Sequence, residues 1–184
     1  MQLGGTLLIA MPNMGDPRFE KSVVLICAHS DEGAMGIIIN QPAIDLSFAR
    51  LLDQLKIPRA PRGRDICVHR GGPVERGRGF VLHTADYTSG KATMPVPGGY
   101  SMTSTTDILR ALAKGDGPAQ ALLAMGYAGW GPGQLEAEIA HNDWLTSAGT
   151  PDLIFSPDNP GKWTAALRNL GIDPLLLSAT SGRA

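Results

Sequence analysis

Apolar residues near the start of the chain fall in two short, unbroken runs, Ser22–Ala28 and Ala34–Asn40. Runs of this length that are rich in Val and Ile are typical of buried strands. The segment His29–Gly33 between them is short enough for a hairpin, so we predict that the two strands pair antiparallel. A further β-prone run, Leu3–Ala10, predicts another strand, which ends before Pro12.

Helical spacing begins with Phe48–Leu55, where apolar residues follow the pattern i, i+3, i+4, i+7. Gln134–Ala140 instead alternates apolar and acidic residues, which predicts a half-buried strand. The same reasoning predicts helices over Thr105–Lys114, Pro118–Met125 and Pro160–Leu170, the last with Asn159 as its N-cap, and strands over Gly79–Thr84 and Tyr100–Thr103. The chain is therefore predicted to be an α+β protein.

Composition narrows the class of protein further. A chain of 184 residues suits one domain, and we expect a single domain over residues 1–184. The net charge of −1 does not indicate nucleic-acid or membrane binding by the chain as a whole. The first basic residue is Arg18, so the start of the chain is not typical of a secretory signal. Two cysteines are too few for a disulfide framework, and we expect free thiols in the cytoplasm.

Charge is concentrated in the loop-rich segment Lys56–Arg78, which has seven basic residues and two acidic ones. It contains Gly71, Gly72 and Pro73, followed by Arg78. Exposed backbone N–H groups and arginine side chains suit a small anion such as phosphate or carboxylate. The alternative is a solvated turn whose glycines meet conformational demands.

Two Cys-x-His pairs, Cys27/His29 and Cys67/His69, raise two possibilities for chemistry. Together the pairs could ligate zinc, although structural zinc sites usually pair cysteines as CxxC, and we expect no metal. Alternatively, Cys27 could be a reactive thiol activated by His29, His69 or His83. A cysteine on an apolar strand is more often a packing residue, which is the competing interpretation.

Glycines surround aromatic residues in the run Tyr127–Gln134, which includes Trp130. Glycine permits close approach by a ligand, so this run could line a pocket. The alternative is an aromatic plug at a tight corner of the core.

Seven segments together resemble the AlgH/YqgE family of bacterial proteins. They are MPNMGDPRFEKSVV (Met11–Val24), GAMGIIINQP (Gly33–Pro42), GGPV (Gly71–Val74), RGFVLH (Arg78–His83), GYAGWGPGQLEAEI (Gly126–Ile139), and the closing pair NDWLT (Asn142–Thr146) and LIF (Leu153–Phe155). The resemblance implies an α+β fold in which a branched, mostly antiparallel sheet curls into a pseudo-barrel with about four flanking helices. It also implies a regulatory role, in particular the regulation of transcription. It supplies no catalytic residues.

We therefore predict a non-enzymatic binding or regulatory module whose cleft forms where GGPV, RGFVLH and the GWGPGQ corner meet. The predicted binding residues are Asn13, Asp16, His29, Asn40, Gly71, Gly72, Pro73, Arg78, His83, Trp130 and Gln134. One alternative is an enzyme that uses Cys27, His29 or His83; another is weak nucleic-acid binding through Lys56–Arg78, without direct groove readout. We expect a small anion or a protein as partner, no cofactor, no membrane association, and a monomer or weak homo-oligomer.

Overall fold

The computed structural model describes residues 1–179. The strands are β1 (Thr6–Ala10), β2 (Val23–Ser30), β3 (Gly33–Ile38), β4 (Val68–Arg70), β5 (Val74–Thr84), β6 (Thr93–Val96), β7 (Tyr100–Thr103), β8 (Ala121–Trp130) and β9 (Trp144–Ala148). The helices are α1 (Phe48–Gln54), α2 (Thr106–Lys114), α3 (Gln134–Ala140), α4 (Pro151–Ile154), α5 (Lys162–Asn169) and α6 (Pro174–Ala179), with short 3₁₀ turns at Pro17–Phe19 and Gly90–Ala92.

The strands form one branched sheet in the order β6-β7-β5-β8-β3-β2-β1-β9, and β4 joins it beside β8. Every neighbouring pair is antiparallel except β4 with β8, which is parallel. The branch lies along β8, because Ala121–Met125 pairs with β5 while Ala128–Trp130 pairs with β3. The curled, mostly antiparallel sheet confirms the predicted fold class. Within residues 1–179 there are six α-helices, four of which have seven residues or more.

Both faces of the β1–β2 pair are buried, which explains its unbroken apolar sequence. Leu7 and Leu25 are register partners and belong to a core cluster that includes residues of α5. Their neighbours Leu8 and Val24, also partners, belong to a second cluster that includes Leu135 of α3. A third cluster packs α1 and α2 against β4, β5 and β8. Because alternate side chains point to opposite faces, each strand serves two cores.

The predicted hairpin is confirmed. β2 and β3 pair antiparallel from Val24 opposite Ile38 to Ser30 opposite Gly33, with a bulge after Ile26. The first predicted helix is also present as α1, where Ser47 is the N-cap and its hydroxyl accepts a hydrogen bond from the Arg50 N–H.

Two predicted elements have the wrong secondary structure. Pro118–Met125 was predicted as a helix, but Ala121–Trp130 is the strand β8, which pairs with β3, β4 and β5. Partners on both edges override the modest local helix preference of this segment. Gln134–Ala140 was predicted as a strand and is the helix α3. Its alternation is compatible with a helix, because Leu135 and Ile139 at i and i+4 also share one helical face.

Candidate functional site

A cavity of about 430 Å³ lies beside the turn that follows β4, and we call it the arginine cavity. Its lining consists of Arg18, Ile38, Gln41, Ala43, Asp45, Leu46, Arg70, Gly72, Pro73, Arg76 and Met125. The three arginines come from separate segments: the first 3₁₀ turn, the end of β4, and β5. Within the described residues, the side chains of Arg70 and Arg76 form neither an ion pair nor a hydrogen bond.

The turn Gly71-Gly72-Pro73 positions the arginine cavity against the sheet. The Gly71 N–H donates to the Met125 carbonyl, and the Gly71 carbonyl accepts from the Ile38 N–H. A Cβ atom at Gly72 would lie 2.0 Å from the carbonyl carbon of Tyr127. Only glycine therefore allows the turn to approach β8 this closely.

A second cavity, of about 350 Å³, is lined by three aromatic rings, and we call it the tryptophan cavity. The rings of Phe19 and Trp144 meet edge to face with their centroids 5.6 Å apart. The rings of Trp130 and Trp144 meet in the same way, with centroids 6.1 Å apart. One oxygen of Glu138 accepts hydrogen bonds from both indole N–H groups, each at 2.9 Å. Its other oxygen accepts from the Gln134 amide at 2.9 Å, so the acid holds both indoles in fixed positions.

Arg18 and Pro73 line both cavities, which therefore adjoin. We call the two cavities together the recognition groove. Asp16 orients Arg18, because its carboxylate accepts from the Arg18 backbone N–H at 3.0 Å and contacts the guanidinium at 2.6 Å. The hydrogen bond from the Arg18 side chain lowers the pKa of Asp16 below its ordinary value.

Five of the predicted binding residues line the recognition groove: Asp16, Gly72, Pro73, Trp130 and Gln134. The groove thus brings together the GGPV and GWGPGQ stretches. The RGFVLH stretch lies elsewhere, since Arg78 and Phe80 line a third cavity with Tyr127.

Asn13, Asn40 and Gly71 do not line the recognition groove. Asn13 is exposed. The Asn40 side chain accepts from the Val23 N–H at 2.9 Å and donates to the Lys21 carbonyl at 2.8 Å. Asn40 therefore ties the segment that follows β3 to the start of β2.

The two histidines considered for catalysis are both engaged within the fold. His29 Nδ1 accepts from the Leu3 N–H at 3.3 Å, and Nε2 donates to Glu136 at 2.7 Å. His83 is fully buried; Nδ1 donates to the Thr84 carbonyl at 2.7 Å and Nε2 accepts from the Thr103 hydroxyl at 2.8 Å. Burial lowers the pKa of His83. Neither ring has a nitrogen free to act as a general base.

Cys27 lies in the apolar core, 2% exposed, and burial raises the pKa of its thiol to about 12. A protonated, buried thiol is inert, so this geometry does not support a reactive Cys27. The two Cys-x-His pairs are also not arranged as the ligands of one zinc ion would be. Cys67 is exposed while Cys27 is buried, and residues 1–179 contain no group of three or more His, Cys, Asp or Glu arranged to hold a metal.

Lys162, Asn159 and His69 form a buried polar cluster that the sequence does not predict. Lys162, 1% exposed, donates to the carbonyls of Ile39 at 2.7 Å and Ile154 at 2.9 Å. Burial lowers the pKa of Lys162 to about 8. Beside it, the Asn159 side chain accepts from His69 Nε2 at 3.0 Å and does not cap α5, whose N-cap is Gly161 and not the predicted Asn159. Lys162 and Asn159 lie in a stretch rich in proline and polar residues, which is typical of the surface. No sequence pattern predicts that they are buried.

The basic segment Lys56–Arg78 is not one continuous patch of free cations. The Arg64 guanidinium donates to the carbonyls of Pro118 and Ala119, and Arg78 lies 3.5 Å from Glu75. Arg64 therefore attaches the segment to the chain that precedes β8, whereas the partner of Arg78 lies within the segment itself. In the part of the chain that the structure describes, no helix is long and apolar enough to cross a membrane.

The fold and the groove define an α+β protein with a curled sheet and an arginine- and tryptophan-lined surface groove. A model of the AlgH-like family matches residues 7–175, and the chain belongs to this family. It is 66% identical over 184 residues to a UPF0301 protein of Cereibacter sphaeroides, with full coverage of both chains. It is 54% identical to a UPF0301 protein of Ruegeria pomeroyi, again with full coverage of both.

Solved structures agree with this assignment. The solution structure of the AlgH protein from Pseudomonas aeruginosa has a TM-score of 0.80 at 40% identity, covering 100% of this chain and 97% of that one. A crystal structure of a Corynebacterium diphtheriae protein has a TM-score of 0.73 at 22% identity, covering 100% of this chain and 93% of that one. The latter likeness concerns the fold alone. The resemblance read from the sequence motifs is confirmed.

Proposed function

We propose that this chain is a non-enzymatic recognition module that binds its partner in the recognition groove. The observation that carries the proposal is the adjoining of two unlike cavities at Arg18 and Pro73. One cavity offers guanidinium groups and the other offers aromatic rings. Arginine and tryptophan are the residue types enriched at the energetic centres of protein interfaces.

The groove is poorly suited to acid–base catalysis. Of the four carboxylates that line it, three already have partners: Asp16 contacts Arg18, Glu138 accepts from both indoles, and Asp143 lies 2.9 Å from His141. The fourth, Asp45, is an exposed carboxylate beside the arginines, with no second free titratable side chain in the groove to act with it. Arginine stays protonated at physiological pH and cannot serve as a base. General acid–base catalysis needs a free titratable group within hydrogen-bond reach of the substrate. The groove therefore fits binding better than turnover.

The compartment and the biological role follow as parts of the same proposal. Both cysteines are free thiols, which fits the reducing cytoplasm. A groove that captures another molecule is a physical basis for the regulatory role that the family resemblance implies.

The test compares three forms of the protein, each captured from lysate of its own host and examined by native mass spectrometry. They are the wild type, the groove variant Arg70→Glu/Arg76→Glu, and the control Arg110→Glu/Arg168→Glu. The control arginines are exposed and line neither cavity. Thermal unfolding of all three verifies that they fold.

We expect a bound species with the wild type and the control that is absent from the groove variant. Equal retention by all three forms, or no bound species with the wild type, would contradict the proposal. The same spectra report whether the protein is a monomer or an oligomer.

A further inference from the structure

We propose that the arginine cavity is a carboxylate subsite and that the groove's occupant is an extended, acidic segment of a protein partner. This inference rests on the proposed function and adds the chemical class of the ligand. In the bound state, acidic side chains would meet Arg70 and Arg76, and an apolar side chain would enter the tryptophan cavity.

Two guanidinium groups of the arginine cavity are available to pair with a ligand. Arg70 and Arg76 are exposed, and their guanidinium groups have no side-chain or carbonyl partner among residues 1–179. The planar guanidinium fork matches a carboxylate with two parallel hydrogen bonds. The groove already holds one such pair, since Arg18 contacts both oxygens of Asp16, at 3.0 Å and 2.6 Å. A ligand carboxylate would repeat this arrangement on the two remaining arginines.

The arginine cavity suits a carboxylate better than phosphate, the other common oxyanion. Phosphate sites usually add a nest of backbone N–H groups or a helix N-terminus to the cationic side chains. In the turn that borders the cavity, the Gly71 N–H already donates to Met125 and Pro73 has no N–H. The Gly72 N–H is the one donor of this turn without a partner in the described chain, and a single N–H does not make the nest that favours phosphate. Recognition therefore depends mainly on the arginine forks.

The recognition groove is open to solvent. The side chain of Arg18, between the two cavities, is 59% exposed. Small-molecule sites usually bury most of their ligand, whereas exposed arginines beside a largely buried aromatic cluster are typical of protein interfaces. Two adjoining cavities also suit an extended chain, which can place different side chains into each.

The charges of the two cavities determine which way the ligand lies in the groove. Glu138 and Asp143 line the tryptophan cavity, so that cavity repels further carboxylates. The arginine cavity contains Asp45 as its single acidic lining residue in the described chain, against three arginines. Acidic residues of the partner therefore belong at the arginine end, and an aromatic or large aliphatic residue belongs at the tryptophan end.

The test is selection of a phage-displayed random dodecapeptide library on the immobilised wild-type protein, followed by anisotropy titrations of the enriched peptides. The titrations use the wild type, Arg70→Gln/Arg76→Gln, and the control Arg110→Gln/Arg168→Gln. Inorganic phosphate and tripolyphosphate serve as competitors. We expect enriched peptides to share at least two Asp or Glu residues and one aromatic or large aliphatic residue.

We expect the groove variant to weaken binding of these peptides by about tenfold or more, because each arginine loses a charge-assisted hydrogen-bond pair. The control should bind like the wild type, and raising the salt concentration should weaken binding. Enrichment of peptides without acidic residues, or equal binding by the groove variant, would overturn the inference. So would displacement by tripolyphosphate together with no enrichment of acidic peptides, which would indicate a phosphate site.

The two proposals fail in different ways. If the native spectra show a groove-dependent species that is not an acidic protein, recognition in the groove stands and the carboxylate subsite falls. If neither experiment finds binding that depends on Arg70 and Arg76, both proposals fall.

Discussion

The buried ammonium of Lys162 should make the stability of this protein rise at alkaline pH. Lys162 begins α5, and its ammonium joins the carbonyls of Ile39 and Ile154. Burial lowers its pKa in the folded protein from the ordinary 10.5 to about 8. In the unfolded chain the side chain is solvated and returns to the ordinary value.

The sign follows from proton binding. Between pH 8 and 10.5 the unfolded chain holds the Lys162 proton while the folded protein has released it, so the contribution of Lys162 to the unfolding free energy rises with pH. The contribution is fully present above the unfolded pKa and is lost as the pH falls through the folded pKa. The difference between the two pKa values corresponds to about 3 kcal/mol, and about 2 kcal/mol of this is reached by pH 9.5.

The assay is urea unfolding of the wild type, Lys162→Met and the control Lys91→Met at pH 7, 8, 9 and 9.5. Lys91 is exposed, so its variant should follow the wild-type profile. Methionine keeps the length of the side chain and removes the titrating group. The difference in unfolding free energy between wild type and Lys162→Met should shift in favour of the wild type by about 2 kcal/mol from pH 7 to 9.5. A difference that stays constant over this range would refute the buried, destabilised ammonium.

Three further predictions concern the groove and the thiols. Glu138→Ala should lower the unfolding free energy by about 3 kcal/mol, because two indole N–H groups and one amide lose a charged acceptor. Glu138→Gln should lower it by about 1 kcal/mol. Urea unfolding measures both variants, and equal losses would contradict the stabilising role of the Glu138 charge. Gly72→Ala should lower the unfolding free energy by more than about 3 kcal/mol, since its Cβ would lie 2.0 Å from the backbone of Tyr127. The control Gly77→Ala, whose Cβ would have no atom within 4 Å, should change it by no more than about 0.5 kcal/mol in the same assay. A fluorescent maleimide should label the exposed Cys67 quickly and Cys27 only after unfolding, and fast labelling of the Cys67→Ser variant would disprove the burial of Cys27.

Local pattern predicted the secondary structure well where pairing is local. The β2–β3 hairpin and α1 were confirmed, because a short loop and an i, i+4 spacing leave few alternatives. The errors fall on Pro118–Met125 and Gln134–Ala140. In the first, strands distant in sequence supply the hydrogen bonds that make β8 the branch of the sheet. In the second, seven residues were too few to separate a period of 2 from a period of 3.6.

The groove was foreseen only in part. Glycine-rich motifs drew attention to Gly72, Pro73 and Trp130, which do line it. The sequence places Arg70 and Arg76 in the basic segment Lys56–Arg78 without distinguishing them from Arg64 and Arg78, which have partners in the fold. Partners at long sequence separation, such as the Pro118 carbonyl for Arg64, decide which charges remain available.

The sequence by itself determined the family, the fold class and the hairpin at the start of the chain. These depend on short motifs and on the alternation of apolar residues, which are local properties. Tertiary structure alone decided that Cys27 and His83 are sequestered, that Lys162 is buried, and that the chain segments around Arg18 and Pro73 form one groove. Each of these outcomes depends on contacts between residues far apart in sequence. Those contacts determine which side chains are buried and which polar groups remain without a partner.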